Sequence, residues 1–126
     1  MKKIHGVLLK HRGGYWKTEE VDVNLDRVTE LLGCEYFDTI KVKFGKHKIT
    51  VVCDDMCLIN TPDNPSLVIT KKGSKEILQP LTGNLFFCIE SRDLTKEEVE
   101  AITESHSFVS NPYGKISEVL VCESRY

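Results

Sequence analysis

The sequence predicts an α+β domain, an antiparallel or mixed sheet with two main helices packed on it. Three observations predict it. The run "YFDTIKVKF" alternates apolar and polar residues with one slip, the period of a half-buried strand, and several further short runs such as "TEEVDV" and "SLVIT" read as strands. Two other segments, "NLDRVTELLG" and "LTKEEVEAITE", carry apolar residues at helical spacing between start and stop residues. The chain has 126 residues, 40% hydrophobic and 29% charged, which is the size and composition of one soluble globular domain spanning 1–126.

The elements follow in order. Residues 3–9 read as a strand, "RGGYW" as a turn and "TEEVDV" as the returning strand; Gly13 and Gly14 supply the permissive backbone of a hairpin. In "NLDRVTELLG" Asn24 is a good N-cap, Leu25, Val28, Leu31 and Leu32 share a face, and Gly33 suits the stop position. "YFDTIKVKF" is a strand with Phe37, Ile40, Val42 and Phe44 alternating after one slip, and "GKHK" turns it into "ITVVCDD". "SLVIT" is a further strand, "KKGSKEI" a turn, and "LTGNLFFCIES" an apolar strand opened by a Thr-Gly-Asn corner. In "LTKEEVEAITE" Thr95 and Glu98 form a capping box, and Leu94 and Val99 form the hydrophobic staple. A last strand spans 116–122, after a Pro-Tyr-Gly turn.

Composition narrows the function classes. Formal net charge is -2, which disfavours a protein that coats long nucleic acids. A small anionic ligand needs only a few local donors. No run approaches the roughly 18 apolar residues of a membrane helix, and the apolar stretch near the start is too short for a signal peptide. A cytosolic protein is expected. The cysteines number 5, an odd count that argues for reduced thiols, and "TVVC", "LFFC" and "LVC" place most of them as small core residues.

The richest stretch is "VVCDDMCLINTPDNP", residues 51–65. Cys53 and Cys57 have a spacing that zinc permits, but the second half of a zinc site is missing, so packed or turn thiols are expected and no metal. Asp54 and Asp55 are neighbours on an extended segment and point to opposite faces, which fits a strand end entering a turn better than a cation site. Among the histidines His106 is best placed to face a pocket, with a surface or C-cap role as its plainer reading. No nucleophile–base spacing is recognisable, and no catalytic residue is assigned. "HRGG" lacks the context of a dinucleotide or P-loop motif.

Two places look suited to a ligand. In "LTGN" Gly83 permits close backbone approach, while Thr82 and Asn84 offer donors and acceptors for a phosphate or a base edge; a strand-entry bulge is the plainer reading. Tyr15 and Trp16 follow a basic turn containing Lys10 and Arg12. An aromatic beside a cation is a platform for a base and a phosphate together, although Trp16 also suits the core.

Four segments in order, "LLGCEYFDTIKV", "VVCDDMCLINTPDN", "LTGNLFFCI" and "LTKEEVEAI", carry a resemblance over residues 20–102. The chain resembles a small domain-of-unknown-function family common in phages, plasmids and other mobile elements, with its C-N-D-E-G corner and L-P-x-N loop. Asp55, Pro62 and Asn64 match that pattern position by position. Asp54 stands where Asn is usual, Cys57 where Gly is usual, and the final glycine of the strand motif is absent. The resemblance implies no known catalytic activity, and no cofactor is expected. It implies a mobile-element setting, in which small proteins sequester immune signals in the manner of anti-CBASS and anti-Thoeris sponges. The expectation is a homo-oligomer in the host cytoplasm that binds a small anionic nucleotide such as a cyclic dinucleotide. Arg12, Tyr15, Asn60, Asn64, Thr82, Gly83 and Asn84 are its ligand-binding candidates. The alternative is an inhibitor directed at a host enzyme or defence protein.

Overall fold

The computed structural model describes residues 3–12, 15–54, 66–71, 73–74, 76–81, 83–110 and 116–124, with backbone alone at 11–12, 15–16, 77, 108–110 and 116–118. The described chain is mostly strand. Nine strands form one mixed sheet: β1 Ile4–Arg12, β2 Tyr15–Val23, β3 Phe37–Phe44, β4 His47–Asp54, β5 Leu67–Thr70, β6 Ile77–Leu81, β7 Leu85–Cys88, β8 His106–Ser110 and β9 Ile116–Ser124. The helices are short. A 3-10 turn at Leu25–Arg27 leads into α1, Val28–Leu32, and α2 spans Lys96–Thr103. The expected pair of main helices on a sheet is therefore corrected to a mainly β architecture with small helical additions.

The strand order is β2-β1-β7-β4-β3-β9-β5-β6, with β8 paired to part of β9. All pairings are antiparallel except β5 with β9. This order forces the sheet to curl. β6 lies five places from β7, about 24 Å in a flat sheet. Yet only residues 82–84 join Leu81 to Leu85, and such a link reaches at most about 14 Å. β5 and β6 must therefore fold back over the sheet. Accordingly Leu67, Ile69 and Leu81 pack with Val7, Leu9, Val51, Leu85 and Phe87 in one buried inner core. Phe44 and Phe87 meet edge to face there, with ring centroids 5.5 Å apart.

The outer face is buried separately. Alternation along β1 sends Val7 and Leu9 to the inner core and Ile4 and Leu8 to an outer cluster with Val23, Val52, Phe86 and Cys88. Val28 and Leu32 of α1 cover that cluster. The expected helix is split: the Asn24 side chain accepts the Asp26 N–H at 3.0 Å to cap the 3-10 turn Leu25–Arg27, α1 begins only at Val28 with no side-chain cap, and it stops at Gly33, whose φ of 72° is the left-handed stop conformation. Gly6 answers a different need. A Cβ there would lie 2.4 Å from the Phe87 carbonyl oxygen and 2.6 Å from the Phe86 ring.

α2 lies at the other end of β1 from the β1–β2 turn. His5 donates its N–H to Asp93 at 2.9 Å, and its carbonyl accepts from the Leu94 N–H at 3.1 Å. The capping box and staple are both present. Thr95 Oγ1 accepts from the Glu98 N–H, Glu98 Oε1 accepts from the Thr95 N–H, and Leu94 and Val99 are buried in the inner core. Two strands, β6 and β8, had no counterpart in the sequence reading.

Candidate functional site

The β1–β2 ladder pairs Lys10 directly with Lys17, and Arg12 with Tyr15. Directly opposed residues in an antiparallel pair share a face. Lys10 follows Leu8 by two residues, so both lysines stand on the outer face, beyond the apolar cluster. Lys10, Lys17, Thr18 and Glu19 line an open hollow of about 260 Å³. Two ammonium groups side by side repel each other, and Glu19, two residues from Lys17 on the same face, offsets part of that charge.

The neighbouring strands extend this arrangement. Leu9 pairs with Leu85 on β7, so Asn84 is the next position beside Lys10. Val52 pairs with Phe86, and Asp54, two residues further on, ends β4 on the same face as Asn84. Phe37 opposes Asp54 directly. A row of side chains thus crosses five strands at one end of the outer face: Lys17, Lys10, Asn84, Asp54 and Phe37. Phe37 and its neighbour Tyr36 are 43% and 68% exposed, unusual for large rings beside a core.

The Thr-Gly-Asn corner is built to hold Asn84 there. Gly83 has φ of +93°, which a side chain would strain. Its carbonyl accepts a 2.9 Å hydrogen bond from the buried Ser66 hydroxyl, and the Ser66 N–H bonds the Leu81 carbonyl at 2.8 Å. The chain leaves β4 at Asp54 and re-enters the described structure at Ser66, both at this end of the sheet.

The predicted residues divide as follows. Asn84 follows Gly83 at the position beside Lys10, and Arg12 and Tyr15 pair two register steps beyond the lysines. Asn60, Asn64 and Thr82 lie outside the described residues, as do Asp55 and Cys57. Gly83 sits in a positive-φ bend between β6 and β7, next to the candidate site. Phe37, Tyr36 and Glu19 were not among the predicted ligand contacts. Only the sheet order brings Phe37 into line with Lys10, and strand order was not legible in the sequence.

Elsewhere the reactive groups are occupied. His5 sits between two carboxylates, with Nδ1 2.7 Å from Asp22 and Nε2 3.0 Å from Glu20, and these bonds raise its pKa. Cys53, Cys88 and Cys122 are buried, and burial pushes the Cys88 and Cys122 thiols up to about 12. His106 opens β8 opposite Leu120 and is exposed. Among the described residues no three His, Cys, Asp or Glu groups are placed to hold a metal ion. No helix among them is long and apolar enough to cross a membrane.

Comparison of the chain with family models, with curated proteins and with solved structures finds no match. The functional reading therefore rests on the geometry of this site and on the motif order of the chain.

Proposed function

We propose that this protein binds and sequesters a small cyclic-nucleotide signal without turning it over, as an anti-CBASS-like sponge of phage or mobile-element origin. The observation that carries the reading is the Lys10–Lys17 pair beside its hollow of about 260 Å³. Like charges held in direct register weaken the hairpin, and an anion between them reverses that repulsion. Phosphate is such an anion, and the polar and aromatic row beyond it offers contacts for a base and a sugar. Arg12 and Tyr15, two register steps along, belong to the same binding end, and Asn60, Asn64, Thr82, Gly83 and Asn84 complete the proposed contacts.

The volume also bears on assembly. It lies just under the roughly 300–1,000 Å³ of a pocket that encloses a whole drug-sized ligand, and a cyclic dinucleotide, with two phosphates and two bases, calls for a second such half-site. A homo-oligomer supplies the other half across a two-fold axis. β2 is the first strand in the order, and among the described residues no strand pairs with its far side. A second copy therefore has an edge to approach next to the site. Binding without turnover is supported by the state of the reactive groups: both ring nitrogens of His5 are taken up by carboxylates, and two of the thiols are raised to about 12. The host cytoplasm is the proposed place of action. The motif order resembling the phage and mobile-element family supports the setting.

Calorimetric titration against cyclic di- and trinucleotides and linear nucleotides tests the reading, with the ligand recovered by heat denaturation and identified by chromatography. Tight binding with intact ligand is the expected result. Degraded ligand would replace the sponge by an enzyme. Absence of binding across the panel would leave the exposed Tyr36 and Phe37 as a contact for a protein partner and favour the inhibitor alternative.

A further inference from the structure

We infer that the site selects guanine over adenine, and that Asp54 is the residue that reads the base. The inference rests on the nucleotide reading above and adds the identity of the base to it. The row beyond the lysines has a fixed chemical order: Lys10 on β1, Asn84 before β7, Asp54 ending β4 and Phe37 opening β3. Adjacent strands are about 4.8 Å apart, so Asp54 lies about 10 Å across the sheet from Lys10 and Phe37 about 14 Å. That is the order of length separating the phosphate of one nucleotide from the far edge of its base. With phosphate at Lys10 and Lys17, the sugar lies by Asn84 and the base edge reaches Asp54.

A carboxylate only accepts hydrogen bonds, and its two oxygens offer about four lone-pair sites, enough for a base edge besides a protein partner. The Watson–Crick edge of guanine presents two adjacent donors, N1–H and the 2-amino group, which match the two oxygens of one carboxylate. Adenine presents its 6-amino donor beside N1, a lone pair that a carboxylate repels. Asn84 carries both a donor and an acceptor and suits the sugar or the guanine O6. Phe37, 43% exposed and directly opposite Asp54, bounds the row beyond the base edge with an exposed ring.

The test uses the full chain with cyclic di-GMP, cyclic di-AMP and cyclic di-IMP as probes. The hypoxanthine of the last keeps N1–H but lacks the 2-amino donor. The wild type is expected to bind the guanine probe about tenfold or more tighter than the adenine probe, the scale of one bidentate base contact. The hypoxanthine probe is expected to fall between them. Asp54→Asn, checked for folding by its thermal melt, is expected to lose most of the preference while retaining binding. Equal binding of the guanine and adenine probes, or a preference that survives Asp54→Asn, would overturn the guanine inference and leave the nucleotide reading standing. A hypoxanthine probe that binds as tightly as the guanine probe would overturn the two-donor match without needing a variant. Binding of none of the three would overturn the nucleotide reading and this inference together.

Discussion

Lys10 lies directly opposite Lys17 across the β1–β2 ladder, with Glu19 two residues from Lys17 on the same face. Like charges directly opposed across strands are destabilising by a few tenths to about 1 kcal/mol. Lys10→Met keeps the apolar stem and removes the charge. It is expected to raise stability by about 0.2–1 kcal/mol while weakening nucleotide binding and its salt dependence. Denaturant melts and titrations at two salt concentrations check both halves. Glu19→Gln removes the offsetting carboxylate and is expected to tighten binding, an effect of about 0.2–1 kcal/mol for an exposed charge.

The Arg92–Glu98 pair sets the acid limit of the α2 end. The Arg92 guanidinium donates two hydrogen bonds to Glu98, at 2.7 and 3.0 Å, and the Thr95 N–H adds a third. The Arg92 bonds chiefly, with that cap, hold the Glu98 carboxyl down from 4.5 to about 2. A depressed carboxyl stabilises the fold above its unfolded pKa and loses that contribution as pH falls through the folded one. Stability is expected to fall between about pH 4.5 and about 2, and Glu98→Gln to flatten that fall. Arg92→Ala leaves the buried Glu98 carboxylate with only its cap and is expected to lower the melting temperature at neutral pH and to shrink the acid-side fall. Thr95→Ala is expected to cost about 1 kcal/mol. Melts across this pH range measure all three.

His5 gives a dependence of opposite sign. Its ring bonds to Glu20 and Asp22 favour the imidazolium and raise its pKa above 6.5, Glu20 most. A raised histidine contributes stability fully below its unfolded pKa and loses it as pH rises through the folded one. Stability is expected to decline above pH 6.5. The decline is about 0.2–1 kcal/mol, because both carboxylates are exposed. His5→Gln is expected to abolish it, and an NMR titration of the His5 ring locates the midpoint.

Gly6→Ala is expected to be among the most damaging single substitutions. The new methyl would meet the Phe87 carbonyl, which the sheet fixes, and the Phe86 ring, which the outer cluster encloses. Overpacking of this kind costs about 1–3 kcal/mol, and a fixed backbone oxygen places it at the upper end. Chemical denaturation measures the loss, and Gly33→Ala, with open space around its Cβ but a positive φ, is expected to cost less.

Local physics made much of this legible in the sequence. Asn24, Gly33, Thr95 and Glu98 marked the helix ends because caps depend on a few adjacent residues. The strands around Val7, Val42, Val51 and Phe87 showed because their side chains alternate between buried faces. β6 did not show, since Pro80 and Gln79 break its pattern; it is the last strand in the order, where proline is tolerated. β8 is short and leans on half of β9 alone. The site was half legible. Arg12, Tyr15, Gly83 and Asn84 carry local signals, whereas the alignment of Lys10, Asp54 and Phe37 depends on β7 lying between β1 and β4, a long-range pairing that no short stretch encodes.

The most direct test of the binding end is an NMR amide titration of the full chain with a cyclic dinucleotide. The account predicts that shifts concentrate at Lys10, Lys17, Glu19, Asn84, Asp54 and Phe37, and that His5, Arg92 and α2 stay unmoved. Shifts centred on α2 or on His5, or none at saturating ligand, would contradict it.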